Sequence, residues 1–247
     1  MSDLRNYQNR MTPAGAQSAT MIDEGLRAYM LKVYNLMALG LAITGVAAFL
    51  SFQLAFADGQ LTAFGQAIYV SPLKWVVMLA PIALVFFMSF RINSMSVSAA
   101  QTTFWAYAAL MGLSLSSIFL IYTGQSIVQT FFVTAASFGA LSLYGYTTKR
   151  NLSAMGSFLI MGLFGLIIAS LVNLFLASSA LDFAISVIGV LIFAGLTAWD
   201  TQKIKESYFE ADSGDVAGRK AIMGALQLYL DFINLFLFLL RFLGNRE

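Results

Sequence analysis

The stretch from Ile222 to Leu243 reads IMGALQLYLDFINLFLFLLRFL, and it decides the class of fold. An α-helix of this length, at ~1.5 Å per residue, crosses a hydrocarbon core of roughly 30 Å. A carboxylate interrupts the run at Asp231, with Gln227 four residues before it and Asn234 three residues after it. This spacing puts the three polar side chains on one helix face. The pattern predicts a membrane helix that lies at the centre of a bundle and turns a polar stripe inward.

The rest of the chain has the composition of a polytopic membrane protein. Of its 247 residues, 59% are apolar and 11% are charged, whereas an ordinary soluble domain has about 25% charged residues. Apolar runs predict seven spans in all. They are roughly Val33–Ala57, Trp75–Phe90, Thr103–Tyr122, Ile127–Thr147, Met155–Ala177, Leu181–Trp199 and Ile222–Leu243. The predicted fold is therefore an all-α integral membrane protein with seven helices in residues 29–247, after a polar, partly disordered tail in residues 1–28.

The basic residues predict the orientation. If the N-terminus is cytoplasmic, eleven of the fourteen Lys and Arg residues fall on the cytoplasmic side. This asymmetry satisfies the positive-inside rule. We therefore expect the N-terminus in the cytoplasm and the C-terminus on the opposite side of the membrane.

The absence of Cys and His excludes several kinds of chemistry. Disulfides, thiolate chemistry, zinc sites of the His and Cys type, haem ligation by His and His-based triads all need these residues. The net charge of +2 and the lack of a basic patch give no indication of a nucleic-acid partner. We expect no cofactor, and any sensing of pH near neutrality must use carboxylates.

Two further charges lie at the inner ends of predicted spans. Asp200 ends the sixth, among the hydrogen-bonding residues Thr197, Thr201 and Gln202, and Arg91 ends the second. Each charge also has a purely structural interpretation. Asp200 could be a solvated helix end, Asp231 a polar contact between helices, and Arg91 a basic anchor at the membrane surface. Burial of an Asp is costly, however, so these positions need a reason.

If Asp200 and Asp231 meet, their chemistry is specific. Two neighbouring carboxylates in a low dielectric do not both ionise cheaply, so they share a proton and titrate as a unit. Loss of the proton leaves two anions that Arg91 or a cation must compensate. A hard cation such as Ca²⁺ prefers carboxylate oxygens, so both aspartates are also candidate ligands for transient Ca²⁺ binding.

The stretches GLTAWDTQKIKESY and LQLYLDFINLFLFLLRFLG resemble the D-T-Q-x-I signature and the last helix of the Bax inhibitor (transmembrane Bax inhibitor motif) family, in its bacterial branch. The resemblance covers roughly residues 25–245. It implies seven helices around a central last helix, and a pH-sensitive Ca²⁺ leak controlled by the aspartates that correspond to Asp200 and Asp231. A family arginine that latches the closed state corresponds, by position, to Arg91. The function expected from the resemblance is a proton-regulated leak for Ca²⁺, with Ca²⁺, H⁺ and the lipid bilayer as partners.

Other functions compete with the leak. Bacterial members of the family are linked to modulation of a membrane-bound AAA protease and eukaryotic members to suppression of cell death, so residues 1–28 are a candidate binding segment for a partner. An aspartyl protease is disfavoured because Asp231 follows Leu228-Tyr229-Leu230 instead of the G-x-G-D motif. A retinal protein is excluded because the last span has no lysine. We expect a protein that is not an enzyme.

Overall fold

The computed structural model of the chain describes residues 3–245, and in residues 3–23 the description does not extend to the side chains. Seven long helices make up the fold of this part of the chain. They are α1 (Asp3–Ala55), α2 (Leu73–Arg91), α3 (Val97–Leu115), α4 (Gly124–Thr147), α5 (Ser153–Leu176), α6 (Ser179–Glu206) and α7 (Gly214–Leu243). Each contains a segment long and apolar enough to span a membrane. The predicted all-α membrane fold with seven spans is confirmed.

Short elements connect the helices. A two-residue hairpin pairs Phe56–Ala57 with Gln60–Leu61 in antiparallel register. Its turn residues, Asp58 (φ 52°) and Gly59 (φ 75°), both adopt the left-handed conformation, as the twist of a tight hairpin requires. A helical turn (Ala63–Gly65), a π-helix (Gln66–Val70) and 3₁₀ segments at Ile92–Ser94 and Ser116–Leu120 complete the connections.

Helix α7 lies at the centre of the bundle, as its polar stripe predicted. It packs against α1, α3, α4 and α6. In an apolar 18-residue segment of α7, 67% of the residues are buried, whereas the corresponding segments of α5 and α2 are 6% and 17% buried. Helices α5 and α2 are therefore peripheral, and their exposed Leu, Ile and Phe side chains have the composition of a lipid-facing surface.

Hydroxyl side chains fix where four helices begin. Each accepts a hydrogen bond from the backbone N–H three residues later, which satisfies a donor that has no partner within the helix. The four caps are Ser96 before α3, Thr123 before α4, Ser178 before α6 and Ser213 before α7.

Both helix ends that flank the last loop differ from the prediction. Helix α6 continues from Trp199 to Glu206, and α7 begins at Gly214 instead of Ile222. The stretch of residues 200–221 between the two predicted spans is therefore reduced to a loop of residues 207–213. Lys220 holds this loop, because its ammonium donates to Asp212 at 2.6 Å and to the Ser207 carbonyl at 3.0 Å. Apolarity predicted only the part of each helix that lies in lipid.

The predicted tail of residues 1–28 falls mainly on residues whose side chains lie outside the description. Its disorder and its role as a segment that binds a partner stay predictions.

Candidate functional site

Two carboxyl groups meet inside the bundle. Asp200 on α6 and Asp231 on α7 lie within hydrogen-bonding reach of each other, and each residue is only 4% exposed.

Glycines on either side of the pair allow the two helices to approach. The side chain of Ile204 covers Gly224, and the ring of Phe238 covers Gly189, so neither glycine has room for a Cβ without a shift of its neighbour.

The other polar groups of the α7 stripe extend the site. The amide of Gln227 donates a short hydrogen bond to Oδ1 of Asp200. The amide of Asn234 donates to the Leu230 carbonyl at 2.8 Å. Oδ2 of Asp231, by contrast, is buried and has no hydrogen-bond partner in the described part of the chain, apart from the neighbouring carboxyl group. A buried carboxylate oxygen left in this way needs a proton or a cation.

The pair lies in the wall of a cavity of about 650 Å³ between α5, α6 and α7. Most of the wall is apolar and comes from Leu, Ile and Phe. The polar side chains are Ser170, Asp200, Lys203, Gln227, Asp231 and Asn234. A cavity of this size with a few convergent polar groups has the character of a binding or transport site.

The polar residues that flank Asp200 in sequence bond elsewhere. The Thr197 hydroxyl donates to the Phe193 carbonyl at 2.7 Å, inside its own helix. The Thr201 hydroxyl donates to the Thr197 carbonyl and lies 2.9 Å from the hydroxyl of Ser142 on α4. Thr201 therefore joins α6 to α4, and a further contact of 2.6 Å links Ser142 to Tyr34 on α1.

Gln202 holds the connection between α4 and α5. Its side-chain oxygen accepts from the N–H of Leu152 and its amide donates to the carbonyl of Arg150, both at 2.8 Å. Lys205 donates to the Tyr146 carbonyl at 2.8 Å. The D-T-Q segment thus has three different roles: Asp200 faces the pair, Thr201 faces α4, and Gln202 satisfies the backbone of a loop.

Arg91 does not lie with the aspartates. It is the last residue of α2, its side chain is exposed, and it is not among the described residues that line the cavity. Helix α2 packs mainly against α3, which keeps it apart from α6. A latch between Arg91 and the pair stays a prediction and requires another position of α2.

Lys203 is the basic side chain at the cavity, and sequence reasoning missed it. Its ammonium lies 5.0 Å from the ring centroid of Trp199, a cation–π distance. The Trp199 ring in turn covers Gly156 on α5, where a Cβ would overlap the indole. The spacing could have indicated Lys203, because residues three apart on a helix share a face.

A second buried polar cluster lies on another side of α7 and was also missed. Tyr107 and Tyr229 are fully buried, with ring centroids 5.4 Å apart. The Tyr229 hydroxyl lies 2.6 Å from that of Thr44 on α1, which donates to the Ala108 carbonyl. The Tyr107 hydroxyl has no hydrogen-bond partner among the described residues. Periodicity gave no signal for this cluster, because aromatic residues also fill ordinary cores.

The chemistry open to the site is that of a carboxyl pair. Among the described residues, no group of three or more His, Cys, Asp or Glu side chains could hold a metal ion. Two carboxylates alone are few ligands for Ca²⁺, which takes six to eight oxygens. The pair can hold a proton, or bind a cation that keeps other ligands such as water.

Comparison with known proteins gives the family. A family model described as "Inhibitor of apoptosis-promoting Bax1" matches residues 26–247. The chain is 56% identical over 231 residues to an uncharacterised protein of Rickettsia prowazekii, covering 91% of this chain and 92% of that protein. It is 47% identical over 225 residues to the inner membrane protein YbhL of Escherichia coli K12, covering 90% and 94% of the two chains. The chain therefore belongs to the Bax inhibitor family of multi-pass membrane proteins.

Proposed function

We propose that this chain is a pH-regulated Ca²⁺ leak channel in which Asp200 and Asp231 form the sensor and the gate. The observation that carries the proposal is the buried contact between these two carboxyl groups in the wall of a cavity. Membership of the Bax inhibitor family supports it. In this proposal the chain catalyses no reaction and needs no cofactor, and Ca²⁺ is its cargo.

The pair senses pH because its protonation changes the charge inside the bundle. With one shared proton, the two groups hold each other through a hydrogen bond and the pair carries a single negative charge. When that proton leaves, two anions face each other and repel, unless a cation takes its place. Proton and Ca²⁺ thus compete for the same oxygens, which couples ion passage to pH.

The ion needs only a transient stay at the pair. Conduction requires a site that is attractive enough to enter and weak enough to leave. Two carboxylates, the Gln227 amide oxygen and retained water fit that requirement better than a complete cage of protein ligands. The six polar side chains of the cavity are the groups available to a passing ion.

The latch role of Arg91 belongs to the proposed closed state. In that state, a movement of α2 brings the Arg91 guanidinium to the aspartates. The guanidinium then takes the place of a bound cation. Only 17% of the residues in the apolar 18-residue segment of α2 are buried in the bundle. Few packing contacts would be lost if this helix moved, which favours such a movement. In the present arrangement Lys203 is the positive charge at the cavity.

The proposed location is the bacterial inner membrane, with the N-terminus in the cytoplasm and the C-terminus in the periplasm. The relative YbhL of Escherichia coli is described as an inner membrane protein. The distribution of Lys and Arg supports the orientation.

Ca²⁺ flux from purified protein tests the proposal. Liposomes that contain the full chain and a Ca²⁺ indicator are assayed from about pH 5 to pH 8, where a pH switch must titrate. We expect wild-type flux to depend on pH, and the dependence to flatten in Asp200→Asn and in Asp231→Asn. Each variant keeps the shape of the side chain and removes one of the two titratable groups, so no proton can be shared between two carboxyl groups.

Asp182→Asn is the matched control. Asp182 lies on the same helix as Asp200, but it is partly exposed and pairs with Arg241 at 3.4 Å. This variant should keep the wild-type pH profile. The proposal would be ruled out if liposomes with the wild-type protein passed no more Ca²⁺ than protein-free liposomes at every pH. It would also be ruled out if Asp200→Asn and Asp231→Asn both kept the wild-type dependence of flux on pH.

A further inference from the structure

The cavity beside the aspartates has a shape and a wall that a bare ion does not require. Along α5 its lining runs from Ile160 to Leu174, a rise of roughly 20 Å at ~1.5 Å per residue. Nearly all of this length is Leu and Ile, and Ser170 is the polar side chain that α5 contributes. A long apolar wall offers a hydrated ion little, but it suits an alkyl chain.

The cavity is accessible from the side of the bundle. Helix α5 packs mainly against α6, and the described residues that line the cavity all belong to α5, α6 and α7. Leu171 and Leu174 line the cavity and remain 58% and 76% exposed. In a membrane, such an opening faces lipid tails, so a molecule dissolved in the bilayer can enter without passing through water.

One end of the cavity holds its ionisable side chains. Asp200 and Asp231 lie there with Lys203, so two carboxyl groups face one ammonium. Oδ2 of Asp231 is buried and lacks a donor among the described residues, other than the adjacent carboxyl group. The amide of Gln227 serves Asp200 instead. A ligand that brings a charged donor to this point satisfies the unpaired oxygen.

We propose that this cavity binds an amphiphile with a protonated amine head and an alkyl body. The ammonium pairs with Asp200 and Asp231, and the alkyl chain lies along the Leu and Ile side chains of α5. Charge complementarity selects the amine, because an anionic head would meet two carboxyl groups and a neutral head would leave the Asp231 oxygen without a charged partner. This binding does not depend on Ca²⁺ flux, and it is measured without flux.

Trp199 reports occupancy because it lines the same end of the cavity. The chain has three Trp residues, so replacing Trp75 and Trp105 by Phe leaves Trp199 as the sole indole. The full-length protein is placed in phosphatidylcholine nanodiscs and titrated with dodecylamine, with dodecanol as the neutral probe of equal chain length. We expect a saturable change in Trp199 emission with dodecylamine, and a small, non-saturating change with dodecanol.

Two variants test the two ends of the cavity separately. Asp231→Asn keeps the shape of the head site and should weaken dodecylamine about tenfold, the effect of losing one charge-assisted hydrogen bond. Ser170→Phe leaves the carboxyl groups in place and puts a ring where the alkyl chain lies, so it should also weaken the amine. Asp182→Asn, outside the cavity, should bind as the parent does.

Equal responses to dodecylamine and dodecanol would overturn the proposal, since they would indicate a non-selective lipid groove. An affinity for the amine that neither Asp231→Asn nor Ser170→Phe changes would also overturn it. A protein that binds the amine but passes no Ca²⁺ would refute the proposed channel function and leave this inference standing.

Discussion

Asp200 and Asp231 are hydrogen-bonding neighbours in the interior of the bundle, although α6 and α7 carry them on opposite sides of a loop. Both are almost fully buried, and Gln227 supplies an amide donor to one of them only. The asymmetry leaves Asp231 dependent on a shared proton or on a cation. A pair in this state responds to pH and to cations as one unit.

The first prediction concerns that unit. If the two carboxyl groups share a proton, Asp200→Asn, Asp231→Asn and the double variant should flatten the pH profile of Ca²⁺ flux to a similar degree. Loss of either partner already abolishes the shared state, so the effects should not add. The measurement is liposome flux across the pH series. A double variant whose change equals the combined changes of the two single variants would indicate independent groups.

The second prediction concerns the positive charge at the cavity. Lys203→Gln should raise Ca²⁺ flux about two- to fivefold, because removing a like charge near the path relieves a repulsion of roughly 0.5–1 kcal/mol. Lys205→Gln is the control on the same helix. Its ammonium bonds the Tyr146 carbonyl at 2.8 Å and does not line the cavity, so flux should not change. Equal changes of flux in Lys203→Gln and Lys205→Gln would indicate a general effect of surface charge instead of a specific effect of the charge at the cavity.

The third prediction compares two buried tyrosines in contact. Tyr229→Phe should lower the free energy of unfolding by about 0.5–1.5 kcal/mol, because Thr44 loses a hydrogen bond. Tyr107→Phe should be neutral or stabilising, because its buried hydroxyl has no partner among the described residues. Thermal unfolding of the protein in detergent checks both. A larger loss of stability in Tyr107→Phe than in Tyr229→Phe would contradict the assignment.

The fourth prediction compares two glycines on α4. A Cβ at Gly145 would overlap the backbone carbonyl of Ala198 on α6, and a backbone atom cannot rotate aside. Gly145→Ala should therefore destabilise the protein by about 1–3 kcal/mol. At Gly139 a Cβ meets open space, so Gly139→Ala should be neutral, or stabilising by up to about 1 kcal/mol through helix propensity. The comparison uses the same unfolding assay, and equal melting temperatures would contradict the close α4–α6 contact.

The amino-acid sequence by itself determined the membrane class, the seven spans and the central place of α7. These properties follow from local quantities: the length of an apolar run measured against the bilayer, and the spacing of Gln227, Asp231 and Asn234 on one helix face. It also singled out Asp200, since an Asp near the end of an apolar run is costly and conspicuous.

Only the tertiary structure decided which side chains meet. The contact of Asp200 with Asp231, the position of Lys203 at the cavity in place of Arg91, and the role of Gln202 in a loop all depend on how each helix is rotated against its neighbours. The same packing extends α6 to Glu206, because Gln202 and Lys205 find partners on the α4–α5 connection and on α4. Rotation and register arise from contacts between distant residues, such as Gly224 with Ile204, and no local pattern in the chain contains them.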